Sequence, residues 1–150
     1  MRTFADLDEL AAAKGEHLGH SDWLEITQDR VDRFADATGD HQWIHVDVER
    51  AKSGPFGGTI VHGYLTLSLI PMLGQQVFTV GGISMGINYG LGKVRFPTVL
   101  RVGSRVRAGV ELVEVIERPP GRQAVLRWTF ETESDDKPVC VAETIVLYVP

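Results

Sequence analysis

Cysteine and long uninterrupted hydrophobic runs are both scarce in this chain of 150 residues. A single cysteine permits no internal disulfide and no cysteine-based zinc cluster. The longest strongly apolar segment, residues 61–73, is shorter than the roughly 20 residues that a membrane-spanning helix needs. The first residues are acidic and lack the apolar stretch of a secretory signal, so we expect a cytoplasmic protein that does not associate with membranes.

Basic residues are outnumbered, because 15 Lys and Arg stand against 20 Asp and Glu and give a formal net charge of −5. An acidic total argues against a protein that binds nucleic acid by neutralising phosphates. The hydrophobic fraction of 43% is typical of globular proteins. The length fits one domain over residues 1–150 with a core of its own.

Carboxylates are absent from the middle of the chain. Residues 51–110 contain 6 bases, 12 of the 16 glycines and no Asp or Glu, whereas residues 1–50 carry a net charge of −7 and residues 111–150 a net charge of −4. The segment is either a buried, glycine-rich centre with solvated bases at its edges or a surface for an anionic ligand. Composition alone favours the first interpretation.

Helix signals dominate the first half of the chain. Asp6 and Glu9 resemble a capping box for a short helix that Gly15 can end. Thr27 is a suitable N-cap for a second helix, which Gly39 can end, and residues 40–59 then read as a loop. Residues 64–73 are apolar on every side, which predicts a buried helix that Pro71 bends or ends.

Strand signals dominate the second half. Residues 83–89, 93–96, 105–115, 123–133 and 139–149 are rich in Val, Thr and aromatic residues, and a short strand is predicted at residues 23–26. Tight connections at residues 118–122 and 134–137 join the last three strands into an antiparallel meander. The order of elements predicts an α+β domain, with an antiparallel sheet packed against a central helix.

The candidate chemistry lies in a cluster of histidines, His41, His45 and His62, together with Asp40. His41 and His45 have the i, i+4 spacing of metal ligands, but Gly39 precedes them and no helical stripe surrounds them, so we assign no metal ligand. Asp40 could simply form an Asx-turn, and a loop histidine often bonds a backbone carbonyl. Alternatively, a turn could bring Asp40 and His45 to one water as an acid–base pair that works near neutral pH.

Three segments in order resemble the MaoC-like enoyl-CoA hydratases, and the resemblance extends over residues 26–149. The hydratase-2 motif of that family, in which a helix runs into Gly-Asp and a His follows five residues after the Asp, is similar to Phe34-Ala35-Asp36-Ala37-Thr38-Gly39-Asp40-His41-Gln42-Trp43-Ile44-His45-Val46-Asp47. The start of the family's central helix resembles Gly57-Gly58-Thr59-Ile60-Val61-His62-Gly63-Tyr64, and a strand and turn resemble Lys93-Val94-Arg95-Phe96-Pro97 and Val102-Gly103-Ser104. One departure is Gln42-Trp43, where many members have Asn-Pro.

The resemblance implies the hot-dog fold, an antiparallel β-sheet wrapped around a long central helix, and a homodimer. It also implies an (R)-specific enoyl-CoA hydratase, which adds water to trans-2-enoyl-CoA to give (R)-3-hydroxyacyl-CoA and can run in reverse. In this assignment Asp40 and His45 hold and activate the water, and the backbone N–H of Gly63 stabilises charge on the thioester oxygen. The reaction needs no cofactor, since coenzyme A is part of the substrate.

Several further residues are candidates for substrate binding. His62 precedes the central helix, although it could equally bond a nearby carbonyl, and Asn88 either faces the pocket or ends a strand. The phosphates of coenzyme A could bind the bases of the central segment, namely Lys93, Arg95, Arg101, Arg105 and Arg107. Cys140 is expected to be a small buried hydrophobe rather than a nucleophile.

Three other functions remain open at this point. A dehydratase for acyl-carrier-protein substrates would use the same chemistry with a protein partner. An acyl-CoA thioesterase of the hot-dog fold usually places its carboxylate differently, so the spacing of Asp40 and His45 counts against it. A non-catalytic acyl-CoA-binding module would bind ligand without needing Asp40.

Overall fold

The computed structural model describes residues 1–150 as eight strands and six helices. In chain order they are β1 (Arg2–Phe4), α1 (Leu7–Ala12), β2 (His17–His20), β3 (Leu24–Glu25), α2 (Gln28–Thr38), α3 (Trp43–Val46), α4 (Val48–Lys52), α5 (Gly63–Ser68), α6 (Ile70–Val77), β4 (Phe78–Val80), β5 (Met85–Arg95), β6 (Arg105–Arg118), β7 (Gly121–Thr132) and β8 (Asp135–Val149). None of the helices is both long and apolar enough to cross a bilayer.

The main sheet is antiparallel, with strand order β2-β6-β7-β8-β5, and β3 pairs with the start of β6. Strands β6, β7 and β8 form the predicted meander. The predicted strands 83–89 and 93–96 are one strand, β5, whose two register shifts account for the break in the sequence pattern. Although β6 follows β5 in the chain, β5 pairs with β8 and forms the far edge of the sheet.

The central helix packs against this sheet and is interrupted close to Pro71, as predicted, so that it consists of two consecutive helices. Helix α5 ends at Ser68 and α6 begins at Ile70, with only Leu69 between them. Pro71 lies in the first turn of α6, where a missing N–H costs no helical hydrogen bond. Only one side is buried, because Tyr64 is 71% exposed and Met72 38% exposed. The expectation of burial on every side is therefore wrong, and the apolar outer side is left uncovered by this chain.

The hydrophobic core joins the helices to the sheet. Its 26 buried residues include members of α1, α2, both central helices and strands β6 to β8. Helix α6 approaches the sheet closely, since a Cβ on Gly74 would lie 2.8 Å from the ring of Trp128. That ring is fixed by a buried hydrogen bond of 2.9 Å from its Nε1 to the hydroxyl oxygen of Thr144.

The predicted loop at residues 40–59 contains the short helices α3 and α4. Helix α2 begins at the predicted N-cap Thr27 and ends at Gly39, which has a φ of +81°. Asp47 caps α4, because its carboxylate accepts a hydrogen bond from the N–H of Arg50. Helices of four and five residues are too short for an apolar stripe to appear, which is why the sequence pattern predicted a loop here.

We expect the core to depend on Val31, which is fully buried on α2, far more than on Val48, which is 43% exposed on α4. Val31→Ala should lower the free energy of unfolding by about 2 kcal/mol, because two methyl groups leave the core and a cavity remains. Val48→Ala serves as the matched control and should change it by less than about 0.5 kcal/mol. Urea denaturation measures the free energy of unfolding of both variants. Equal losses in the two would contradict the assignment of Val31 to the core.

Candidate active site

Asp40 follows directly after the end of α2, and its carboxylate is half exposed. Its Oδ1 lies 3.4 Å from the backbone nitrogen of Gln42, which is long for an N–H···O hydrogen bond. Its Oδ2 lies 4.0 Å from Nε2 of His62. The Asx-turn that the sequence allowed is therefore weak, and the carboxylate remains accessible to a bound molecule.

His45 lies on the single helical turn α3 and is buried, with 7% of its surface exposed. Its Nδ1 is 2.6 Å from the carbonyl oxygen of Ile60, so Nδ1–H donates this hydrogen bond. In the neutral ring Nε2 then carries no proton and can accept one. The backbone of residue 60 thus selects the tautomer that a general base requires.

The turn that carries His45 is held by Gln28, a residue that the sequence reasoning missed. The Gln28 amide donates to the carbonyl of His45 at 2.8 Å and accepts from the Thr59 hydroxyl at 2.7 Å. The N–H of Ile60 donates to the carbonyl of Ile44 at 2.9 Å. These bonds connect α2, α3 and residues 59–60, and most of them involve backbone carbonyls, which leave no motif in a sequence.

His62 lies behind the pair and is only 3% exposed. Its Nε2–H donates to the carbonyl oxygen of Asp40 at 3.0 Å, which is the structural role that the sequence left open. Its ring stacks on that of His45, with centroids 3.8 Å apart and planes inclined by 23°. Desolvation is the main reason that the pKa of His62 is lowered from its ordinary value.

A metal ion is the first alternative to test on this geometry, because one ligand atom from each of Asp40, His45 and His62 lies within 4.8 Å of the others. Imidazole binds a metal through the lone pair in the ring plane. In two nearly parallel, stacked rings these lone pairs run side by side, whereas a tetrahedral site needs them to converge. The donor set therefore fits proton transfer better than metal binding.

The metal pair suggested by the i, i+4 spacing is not formed. His41 is exposed and its Nε2 lies 2.9 Å from Oδ1 of Asp36. This hydrogen bond is the main reason that the pKa of His41 is raised. His41 thus interacts with α2, whereas His45 points inward to residue 60.

Trp43 occupies the first position of α3, where proline is commonly found in helices. The guanidinium of Arg50 lies 4.2 Å from the centroid of the Trp43 ring. On Gly54, a Cβ would lie 3.1 Å from the same ring, so the glycine-rich loop packs closely against it. The departure Gln42-Trp43 therefore retains the helical turn that carries His45.

Gly63 is the first residue of α5, so its N–H has no acceptor within the helix. A Cβ on Gly63 would lie 3.0 Å from the ring of Phe96. The role that the sequence assigns to this N–H requires the thioester to approach the backbone closely, which glycine permits. The structure adds a second reason, since the Phe96 ring occupies the space that a side chain would take.

Asn88 lies apart from the histidines in this chain. It lines a cavity of about 370 Å³ between α6 and the sheet, together with Gly74, Trp128, Thr144 and Tyr148. Burial raises the pKa of Tyr148 to about 12, so its hydroxyl is neutral. Burial also raises the pKa of Cys140 to about 12, which agrees with the expectation that this thiol is not a nucleophile.

The five candidate bases for coenzyme A have different surroundings. Arg105 pairs with Glu133, and Arg107 lies 2.9 Å from Glu131, so the charges of both are matched across the sheet. Arg101 donates to the carbonyl of Gly57 at 2.9 Å.

Lys93 and Arg95 are exposed on β5 and make no ion pair or side-chain hydrogen bond. They lie close to the end of the strand, where the next residue, Phe96, contacts Gly63.

Comparison with known proteins gives consistent results. Residues 9–131 match the model of the MaoC like domain family. A protein named 3-hydroxyacyl-thioester dehydratase Z from Mycobacterium tuberculosis is 59% identical over 150 residues, which cover 99% of each chain. A 3-hydroxybutyryl-CoA dehydratase from Methylorubrum extorquens is 35% identical over 106 residues, covering 70% of this chain and 63% of that protein.

A solved structure, the (R)-hydratase from A. caviae involved in PHA biosynthesis, superposes with a TM-score of 0.72 at 26% identity. The match covers 91% of this chain and 96% of that one. It confirms the predicted α+β hot-dog fold, in which an antiparallel sheet packs around the central helix. The chain belongs to the MaoC-like family and is a hydro-lyase of the dehydratase and (R)-hydratase type.

Proposed function

We propose that this protein is an (R)-specific enoyl-CoA hydratase, which adds water reversibly to trans-2-enoyl-CoA and forms (R)-3-hydroxyacyl-CoA. One observation carries the proposal. The half-exposed carboxylate of Asp40 and the ring of His45 present ligand atoms within 4.8 Å of each other, and the hydrogen bond to Ile60 selects the tautomer whose neutral ring has no proton on Nε2. The similarity to the dehydratase of Mycobacterium tuberculosis supports the thioester substrate.

In the proposed mechanism a water molecule binds between the Asp40 carboxylate and Nε2 of His45. The Asp40 carboxylate orients the water. Nε2 of His45 takes a proton from the water while the water oxygen bonds to the β-carbon. The electrons of the double bond move toward the thioester oxygen, where the N–H of Gly63 donates a hydrogen bond. The α-carbon then takes the proton back from the acid–base pair, and the thioester carbonyl re-forms.

Coenzyme A is the proposed carrier because Lys93 and Arg95 offer two unpaired positive charges near Gly63. Phosphates bind such exposed bases, and no carboxylate of residues 51–110 opposes them. A dehydratase for acyl-carrier-protein substrates is the alternative that shares the reaction. Parallel assays with the same acyl group on coenzyme A and on acyl-carrier protein distinguish the two functions.

A homodimer is proposed on the uncovered edge of the sheet. Strand β5 pairs with β8 on one side and with no strand of this chain on the other. Four apolar residues of β5, namely Met85, Ile87, Tyr89 and Leu91, are each between 43% and 52% exposed. Tyr64 and Met72 on the central helix add to the exposed apolar surface. Exposed edges and apolar patches of this kind are typical of interfaces.

Asp40→Asn and His45→Gln should each lower the rate of hydration by at least about 100-fold, since each removes a group that activates water. Loss of the enoyl absorbance of crotonyl-CoA measures hydration, and release of free thiol measures thioesterase activity. Asp36→Asn and His41→Gln are matched controls on exposed neighbours and should retain the wild-type rate. Turnover at the wild-type rate in either Asp40→Asn or His45→Gln would refute the assigned pair.

Charge reversal at Lys93 and Arg95 tests coenzyme A binding. Lys93→Glu combined with Arg95→Glu should raise KM for crotonyl-CoA about 10-fold at low salt and progressively less at higher ionic strength, because salt screens exposed charges. Lys14→Glu combined with Arg33→Glu is the control, because it changes the net charge equally at exposed sites after α1 and on α2, and it should leave KM unchanged. If KM were unchanged in the Lys93→Glu and Arg95→Glu variant, these two bases would not bind coenzyme A and would simply be exposed to solvent.

Leu91→Lys places a charge among the exposed apolar residues of β5 and should shift the protein from dimer to monomer, because the charge would have to be buried in the interface. Light scattering coupled to size-exclusion chromatography measures the mass. Val99→Lys, at a residue that is 43% exposed outside β5, is the control and should stay dimeric. A monomeric wild type at micromolar concentration would contradict the proposed dimer.

A further inference from the structure

His62 contacts each part of the proposed catalytic site. Its Nε2–H holds the backbone of Asp40, its ring stacks on His45, and the next residue in the chain is Gly63. Phe34 of α2 lies on it as well, with ring centroids 4.9 Å apart. Because the side chain is only 3% exposed, substrate has little access to it, and any effect on the reaction must pass through these neighbours.

The second nitrogen of His62 has no partner. Nε2 carries the proton that is donated to Asp40, so Nδ1 is an acceptor, and it is buried without a hydrogen bond. A buried polar atom without a partner destabilises a protein, and a phenylalanine of similar shape would avoid that cost. A second proton would have to sit on Nδ1, where no acceptor lies within reach. The ring is therefore held in one neutral tautomer.

We propose that His62 is a positioning residue for the reaction of Asp40 and His45, and that it acts as a neutral ring throughout. The proposal rests on the proposed function. Its Nε2–H fixes the backbone that carries the Asp40 carboxylate, and its stacked face fixes the ring plane in which His45 meets the carbonyl of Ile60. The titratable groups that face it are Asp40, His41 and His45.

Two variants separate the two contacts. His62→Phe retains an aromatic ring for stacking but cannot donate to Asp40, whereas His62→Gln retains a donor but removes the stacked ring. Each should lower kcat for crotonyl-CoA about 10- to 100-fold and leave KM within about 2-fold, since small displacements of catalytic groups cost rates of that order. His20→Gln, at a histidine on β2 whose ring centroid lies 4.7 Å from that of His17, should leave both constants unchanged.

Two measurements distinguish positioning from a general loss of structure. Amide hydrogen exchange at residues 40–42 should accelerate in His62→Phe only. Nitrogen-15 spectra of the imidazoles should show a single Nδ1–H tautomer for His45 in wild type and in His62→Phe, and a mixture of tautomers in His62→Gln. Wild-type kcat in both variants, or a change confined to KM, would overturn the proposal.

The nitrogen-15 spectrum of the wild-type protein tests the proposed state of His62 even if the protein shows no activity or the variants do not fold. At pH 7 it should show His62 as a neutral ring with its proton on Nε2. A charged His62, or a proton on Nδ1, would refute the proposed role directly. If wild type hydrates no enoyl thioester while this spectrum is as expected, the proposed function fails and the placement of His62 stands.

Discussion

The hydrogen bond from Nδ1–H of His45 to the carbonyl of Ile60 is the contact on which the rest of the site depends. It can form only if residue 60 is fixed relative to α3, and residue 60 is fixed by the segment that precedes β6. Ile60 pairs with Arg101 in an isolated bridge, and the N–H of Val61 donates to the carbonyl of Leu100 at 2.8 Å. The segment after Arg101 continues into β6. The four-residue turn that carries His45, too short to be stable alone, thereby takes its position from the segment that leads into β6.

Local sequence patterns are sufficient to predict the elements that have a periodic pattern or a clear capping residue. The long strands show alternation, and Thr27 and Gly39 mark the limits of α2, so the meander and the position of Asp40 could be predicted. The pairing of β5 with β8 could not be predicted from local pattern, since it depends on how the whole sheet closes around the helix. The hydrogen bonds of His45, Gln28 and His62 end on backbone carbonyls, which every residue possesses, and no sequence pattern marks them.

The acid-free central segment has two explanations, and each applies to a different part of it. Arg107 lies opposite Glu131 on the neighbouring strand and Arg105 pairs with Glu133, so acidic residues from the last third of the chain match these bases. Lys93 and Arg95 lie on the edge strand and make no ion pair, and the nearby carboxylate of Glu143 on β8 lies against Gly92 and 3.8 Å from Arg127. The net charge of a segment is thus a poor guide to its local field, because sheet pairing brings together residues that are far apart in the sequence.

The rings of His45 and His62 are in contact, but they differ in which nitrogen carries the proton. The backbone causes this difference, because each ring donates to a different carbonyl. The carbonyl of Ile60 keeps a proton on Nδ1 of His45, whereas the carbonyl of Asp40 keeps a proton on Nε2 of His62. The acceptor nitrogen of His45 is therefore Nε2, and that of His62 is the enclosed Nδ1. Two groups of one residue type differ in role because each donates to a different carbonyl, so a change of backbone at residue 40 or 60 should alter proton transfer without replacing either histidine.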